Sequence, residues 1–249
     1  MHIVRSLFLL TLLASLSSNL RALGAERESE RTRVLIVTGG HDFEKTPFFQ
    51  MFGQDAEISW EAVAHPDAQA RFTPEAATKF DVLVLYDMYQ PISDEAKTGF
   101  LARLKKGQGL VVLHHAIANY QEWPEYAQII GARYYLKPTV VDGIAKKRSA
   151  YKHDVQFRIE VADPNHPVTR GLTSFDIRDE TYKWFDVDPN VKPLLTTTEP
   201  ESNPVIAWAK TYEAARVVYL QLGHDHFAFE NPNYRRLVSQ AIRWVARKS

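Results

Sequence analysis

The sequence predicts one α/β domain in which helices cover both faces of a mainly parallel β-sheet. Short apolar runs typical of buried strands alternate with helical segments through the first half of the chain. Two of the apolar runs end directly in histidines, one at His114 and His115 and the other at His224. In an open α/β sheet, ligands bind outside the carboxyl ends of the strands. The two positions therefore predict a functional site at one edge of the sheet.

The elements of the first half follow in order from the apolar pattern. Residues 34–38 are a β-branched run that predicts the first strand, and Gly39 and Gly40 predict a turn after it. The following elements are expected as helix 46–52, strands 58–63 and 81–85, helix 94–105, strand 110–113 and helix 123–130. Helix 94–105 has apolar residues at helical spacing, and Pro124 suits the first turn of the next helix.

The second half is less regular. Residues 155–161 alternate in polarity and predict an exposed or antiparallel strand, whereas residues 165–172 predict a loop. The remaining elements are expected as strands 179–185, 191–197, 205–210 and 216–222 and the amphipathic helix 231–247.

The N-terminus predicts a secretion signal. Arg5 supplies a basic start, residues 7–16 are apolar, and small residues precede Glu26. The apolar segment is shorter than the roughly 20 residues that span a bilayer. We expect an exported protein, periplasmic or extracellular, with an uncleaved anchor as the alternative. The expected division is a signal at 1–25, a flexible mature N-terminus at 26–33 and one domain at 34–249.

Composition narrows the possible partners and reactions. The formal net charge is zero, so neither nucleic acid nor a membrane surface is favoured once the signal is removed. The chain has no cysteine, which excludes disulfides, thiolate ligands and a thiol nucleophile. The dinucleotide fingerprint G-x-G-x-x-G is absent, so no nicotinamide cofactor is expected. A small molecule is the expected partner, and a homo-oligomer is compatible with the sequence.

Seven segments carry a family resemblance when taken in order. They are VLIVTGGHDF, FDVLVLYD, GLVVLHHA, WPEYAQIIGARYY, NHPVTRGL, DETYKWF and ARVVYLQLGHDHFAFENPNYRRLVSQAIRWV. Together the segments resemble the ThuA-like family, the trehalose-utilisation group within the class I glutamine amidotransferase-like fold. The resemblance covers almost all of the chain after the signal. It implies a flavodoxin-like three-layer sandwich and a link to carbohydrate metabolism.

The resemblance also indicates how this chain departs from true amidotransferases. Those enzymes place a nucleophilic cysteine after the strand that matches 110–113, and a histidine after the strand that matches 216–222. His224 stands at the second position, but His114 or His115 occupies the first. Thioester chemistry on glutamine is therefore excluded.

The histidines are the leading catalytic candidates. Adjacent residues on a strand point to opposite faces, so one of His114 and His115 is expected in the cleft as a general acid, a general base or a metal ligand. A buried pair that braces the turn is the alternative.

The second histidine cluster allows three interpretations. His224 and His226 have a spacing that can place both rings on one side of a strand. With His114 or His115 nearby, three nitrogens could hold a divalent cation, with Asp225 or Glu180 as an oxygen ligand. A site for proton transfer, in which a carboxylate fixes an imidazole tautomer, competes with the metal site. In the third interpretation, Asp225 only caps the loop before the last helix.

Substrate contacts are expected from two groups of residues. Gly40, His41 and Asp87 follow the first and third strands, at the edge where ligands bind. Glu180, Tyr182 and Trp184 alternate, so on a strand they would share a face suited to packing against a sugar ring. His166 is expected to be structural, in a turn fixed by Pro167 and Gly171.

The sequence thus favours an exported enzyme that acts on a carbohydrate or keto-sugar derivative. The expected reaction is hydrolysis or proton-transfer isomerisation with histidine acid–base catalysis, because a proton next to a ketone is acidic enough for an imidazole base. No cofactor is required, although a divalent metal is possible. The alternatives are a non-catalytic carbohydrate-binding protein and a metal-dependent hydrolase that uses the histidine cluster.

Overall fold

A computed structural model describes residues 31–247. The expected secretion signal at 1–25 and most of the segment 26–33 lie outside this part of the chain. Within the described part, no helix combines the length and the apolar character needed to cross a bilayer.

Thirteen strands and six helices make up the described chain. The strands are β1 (Thr32–Gly39), β2 (Ile58–Ala64), β3 (Val82–Asp87), β4 (Gly109–Leu113), β5 (Ala132–Arg133), β6 (Thr139–Val141), β7 (Ile144–Lys146), β8 (Ala150–Val161), β9 (Phe175–Lys183), β10 (Asp186–Val187), β11 (Lys192–Thr196), β12 (Val205–Tyr212) and β13 (Ala215–Leu220). The helices are α1 (Lys45–Gly53), α2 (Pro74–Ala77), α3 (Asp94–Lys105), α4 (Pro124–Ile130), α5 (His226–Phe229) and α6 (Pro232–Val245). Two 3₁₀ turns add Asp67–Phe72 and His114–Ala118.

The main sheet has the strand order β2-β1-β3-β4-β13-β12-β11-β8-β9. The first five of these strands run parallel. The remaining four extend the sheet through antiparallel pairs. The predicted α/β class with a large, mainly parallel central sheet is therefore confirmed, and the irregular second half of the chain supplies the antiparallel extension.

Side chains on the two faces of the sheet enter two separate cores. Along β1, Val34 and Ile36 pack with one cluster, whereas Leu35 packs with the other. Phe48 of α1 covers the first face together with α6, and Phe100 of α3 covers the second together with α4. A strand buried on both faces reads as an apolar run without alternation, as β1 does. Burial of each large apolar side chain contributes roughly 1.5–3 kcal/mol, so this three-layer arrangement fixes the sheet.

The predicted boundaries hold best where the pattern is regular. Helix α3 has the bounds expected from its apolar spacing, and Ser93 caps it by accepting a hydrogen bond from the backbone of Ala96. Strand β1 begins at Thr32, two residues before the expected start of the domain. Strand β9 ends at Lys183, so the expected strand 179–185 is shorter at its carboxyl end. The hairpin of β6 and β7 has no counterpart among the predicted elements.

Candidate functional site

The two histidine-bearing strand ends are neighbours in the sheet. Strands β4 and β13 pair in parallel, and Leu113 lies opposite Leu220 at their carboxyl ends. His114 follows the first strand directly, and His224 follows the second after a short loop. The predicted convergence of these imidazoles at one edge is therefore confirmed, because their ligand-capable nitrogen atoms lie within 4.8 Å of each other.

A cleft of about 220 Å³ opens beside this edge. Its lining residues are His41, Met88, His115, Ile117, Ala118, Tyr134, Leu136, Arg148, Tyr151, His153, Glu180 and Tyr182. A larger cavity of about 350 Å³ lies between α1 and α6, but it contains no histidine. We place the functional site in the smaller cleft, because the buried titratable groups converge there.

His114 is fully buried and is held in one tautomer by the backbone. Its Nδ1 lies 2.6 Å from the carbonyl oxygen of Gln221, which can only accept, so Nδ1 carries the hydrogen. The other ring nitrogen, Nε2, faces the hydroxyl of Tyr182 at 2.8 Å and Oε2 of Glu180 at 3.0 Å. The residue itself has a φ of +50°, which turns the chain out of β4. The backbone thus aims one defined ring atom at the carboxylate.

Glu180 is the centre of the cluster. Besides His114, its carboxylate contacts Nδ1 of His153 at 3.2 Å and Nδ1 of His224 at 3.5 Å. Burial opposes ionisation of the carboxylate, but the hydrogen bond and the charge of His114 outweigh it and lower the pKa of Glu180 to about 2. Burial also opposes protonation of His114, and the hydrogen bond and charge of Glu180 raise its pKa in spite of this. Both shifts favour a carboxylate beside an imidazolium at neutral pH.

His115 has the opposite electrostatic character. Burial and then the neighbouring charges of His114, His41 and His224 lower the pKa of its imidazole. Its ring lies 4.4 Å from the ring of Tyr86 and 4.8 Å from that of His41. Its buried Nε2 has no hydrogen-bond partner among the described residues. His115 is therefore a neutral imidazole that lines the cleft.

Asp179 positions the loop that carries His224. Its carboxylate accepts hydrogen bonds from the backbone N–H of Gly223 at 2.8 Å and of His224 at 3.0 Å. Burial raises the pKa of Asp179 to about 6, although the charge of His114 and these N–H groups lower it. Burial is also the main cause that lowers the pKa of His224. The loop thus holds a partly exposed, neutral imidazole beside Glu180.

Two residues near His224 do not join the cluster, which corrects the expected His-x-His pair. Asp225 caps α5, where its Oδ1 accepts a hydrogen bond from the backbone of Phe227 at 2.9 Å. His226 begins that helix, and its Nδ1 lies 3.0 Å from the carboxylate of Glu44. The expected pairing required an extended chain, but β13 ends at Leu220 and a loop follows it.

Asp87 and Trp184 also lie away from the cleft, contrary to expectation. Asp87 is fully buried, and its Oδ2 lies 3.0 Å from Nε2 of His65. Trp184 follows the last residue of β9 with a φ of +67°, so it does not share a face with Glu180. Its ring is 46% exposed and lies 3.3 Å from the ammonium group of Lys147. The alternation in sequence failed here because the strand had already ended.

His41 lines the cleft, and Gly40 precedes it in the turn after β1. Gly40 has a φ of +79°, and a Cβ there would lie 2.2 Å from the carbonyl oxygen of Met88. The glycine therefore allows the close approach of the turn to the chain after β3. His41 is exposed and lines the cleft, with its ring centroid 4.8 Å from that of His115.

The fold also brings to the site residues that the sequence did not indicate, among them Asp179, Tyr134, Arg148, Tyr151 and His153. His153 lies on β8, at the far end of the sheet order, so nothing near it in the sequence connects it with β4. His166 is buried against Trp244, with its Nδ1 accepting a hydrogen bond from the backbone of Val168.

Comparison with known proteins places this geometry in a class and then in a family. The fold is that of the class I glutamine amidotransferase-like proteins. A glutamine amidotransferase from Thermotoga maritima has a TM-score of 0.51 at 13% identity, over 87% of this chain and 98% of its own. The family model for ThuA, described as trehalose utilisation, matches residues 33–245, and the chain belongs to this family.

Two ThuA-like structures agree with the assignment. The protein from Parabacteroides merdae has a TM-score of 0.74 at 18% identity, over 87% of this chain and 90% of its own. The protein from Bacteroides uniformis has a TM-score of 0.66 at 20% identity, over 86% and 91%. No curated protein matches the sequence significantly.

Proposed function

We propose that this ThuA family member is an exported enzyme that acts on a carbohydrate or keto-sugar derivative by hydrolysis or proton-transfer isomerisation. The observation that carries the proposal is the buried carboxylate of Glu180, which contacts three imidazoles at the side of an aromatic cleft. Titratable groups whose neighbours shift their pKa values in opposite directions are typical of acid–base sites.

In this proposal, Glu180 orients the imidazoles that carry the proton. His153 and His224 each direct Nδ1 toward its carboxylate, so each ring keeps Nε2 for a substrate or a water molecule. A carboxylate in this position fixes the tautomer of an imidazole and stabilises its protonated form. His115, which is neutral, adds a hydrogen-bond acceptor in the cleft wall. Proton abstraction next to a ketone and protonation of a leaving oxygen both require such groups.

The lining suits a sugar ring. Tyr134, Tyr151 and Tyr182 contribute aromatic surface to the cleft, and amphipathic rings of this kind combine an apolar face with a hydroxyl group. The family description, trehalose utilisation, supports a carbohydrate as the substrate class. The expected export rests on the N-terminal sequence, and N-terminal sequencing of the secreted form tests it.

The proposal is tested by incubating the purified protein with glycosides and their keto derivatives and following products by NMR. We expect turnover of at least one of them, and we expect Glu180→Gln to reduce it by about 100-fold or more. Glu160→Gln is the matched control, because Glu160 is exposed on β8 away from the cleft. Saturable sugar binding with no turnover would instead support the non-catalytic carbohydrate-binding alternative.

A further inference from the structure

Three side chains beside the cleft converge as the ligands of one cation do. One ligand-capable atom from each of His114, Glu180 and His224 lies within 4.8 Å of the other two. The two contacts to the carboxylate are 3.0 and 3.5 Å. Nitrogen and oxygen ligands bind Zn²⁺ at about 2.0–2.2 Å, so neighbouring ligands lie roughly 3 to 3.5 Å apart. Both contacts to the carboxylate therefore have this spacing before any rearrangement.

The surrounding hydrogen bonds prepare the same atoms for coordination. The carbonyl of Gln221 accepts a hydrogen bond from Nδ1 of His114, so Nε2 is the ring nitrogen that can release its proton and bind a cation. Metal-binding histidines commonly have such a partner on the other ring nitrogen. Asp179 holds the backbone of His224 from the opposite side. Two of the three ligands are therefore fixed by groups that are not ligands themselves.

We propose that His114, Glu180 and His224 form a binding site for one divalent transition-metal cation. His153 can supply a further ligand, since its ring centroid lies 4.7 Å from that of His224 and its Nδ1 lies 3.2 Å from Glu180. Two or three imidazoles with one carboxylate favour Zn²⁺, Mn²⁺ or Fe²⁺ over Ca²⁺ or Mg²⁺, which prefer oxygen ligands.

The proposed site has one side that solvent can reach. His224 is partly exposed and Glu180 lines the cleft, whereas His114 is buried, so a cation held by the three would be open on one side only. An open position is typical of catalytic metals, which polarise a carbonyl or lower the pKa of a bound water. The binding claim stands on geometry alone, and only the use of the cation in turnover rests on the proposed function.

The test is titration of chelator-treated protein with Zn²⁺ and, for spectroscopy, Co²⁺. We expect one equivalent to bind, with Co²⁺ giving the visible absorption of a nitrogen-ligated ion. His224→Ala is expected to weaken binding by at least about tenfold, since even groups outside the ligand set cost that much. His226→Ala is the matched control, because its ring contacts Glu44 instead. Melting curves show whether each variant is folded, and anomalous scattering from a Zn²⁺-loaded crystal locates the ion.

Failure of this proposal is distinguishable from failure of the proposed function. Absence of stoichiometric binding, or unchanged affinity in folded His224→Ala, overturns the metal site whatever the activity. Binding of one equivalent of metal ion that is lost in His224→Ala supports the site even if no sugar is turned over. If the metal-free protein turns over a sugar and binds neither Zn²⁺ nor Co²⁺, the proposed enzyme stands and the proposed metal site is wrong.

Discussion

Nε2 of His114 lies 3.0 Å from Oε2 of Glu180, and both side chains are almost fully removed from solvent. The two residues come from β9 and from the turn after β4, which are not neighbours in the sheet order. Removing one partner of a buried ion pair leaves an uncompensated group and is strongly destabilising, typically by about 3–5 kcal/mol. The pair therefore ties the antiparallel extension to the parallel part of the sheet at the site itself.

The first prediction concerns two imidazoles of the site, one beside Glu180 and one in the cleft wall, that the sequence and the structure both indicate. His224→Ala and His115→Ala are each expected to reduce turnover by about 100-fold or more, which is the usual contribution of a general acid or base. Steady-state kinetics with the substrate found in the screen measures the effect. Thiol-alkylating reagents should leave the rate unchanged, because the chain has no cysteine. Full activity in both variants, with normal melting, would remove these residues from the mechanism.

The second prediction isolates the hydroxyl of Tyr182. Burial raises the pKa of this phenol well above its ordinary value, so the hydroxyl remains a donor at neutral pH. It lies 2.8 Å from Nε2 of His114. Tyr182→Phe keeps the ring and removes a hydrogen bond worth about 0.5–1.5 kcal/mol, so we expect a loss of activity of roughly two- to tenfold. An unchanged rate would show that His114 does not need this donor during turnover.

The sequence predicted the part of the site that follows from strand order. The apolar runs before His114 and His224 end at the same edge because their strands are parallel neighbours, and this rule needs no side-chain detail. His41 and Tyr182, which were each expected as substrate contacts, line the same cleft.

The remaining contacts depend on long-range geometry. Asp179 reaches His224 only because β9 lies at the edge of the sheet. His153 reaches the site through β8, the strand next to β9. The spacing of residues in the sequence also gave wrong expectations where a strand ended early. Trp184 and His226 have the spacing of residues that share a strand face, but they lie in non-extended segments. Periodicity describes faces within an element, and it carries no information after the element ends.

The third prediction tests the turn that forms the cleft wall. Gly40→Ala should destabilise the protein by about 2 kcal/mol or more, because a left-handed backbone disfavours Cβ and the new atom would meet the carbonyl of Met88. Gly53→Ala is the matched control, since nothing lies within 4 Å of its Cβ position. This control should be neutral or slightly stabilising. Chemical denaturation measures both, and equal effects would contradict the assigned role of the turn.

The fourth prediction concerns a buried cation outside the site. Arg103 of α3 is 2% exposed, and its three guanidinium nitrogens have no hydrogen-bond partner among the described residues. Burial lowers its pKa to about 10. A basic group whose pKa is lower in the folded than in the unfolded protein reduces the free energy of unfolding at every pH below its folded-state pKa, and neutral pH lies in this range.

Arg103→Met should therefore raise the free energy of unfolding at neutral pH by about 1–4 kcal/mol, the range found when buried charges give way to apolar side chains of similar size. Arg103→Lys retains the charge and serves as the control, for which no gain is expected. Thermal and urea denaturation of the three proteins at the same pH decide the question. A lower melting temperature for Arg103→Met than for Arg103→Lys would show that the positive charge has a stabilising partner, such as an ordered water molecule bonded to nearby carbonyl groups. In that case Arg103 would anchor the end of α3 rather than strain it.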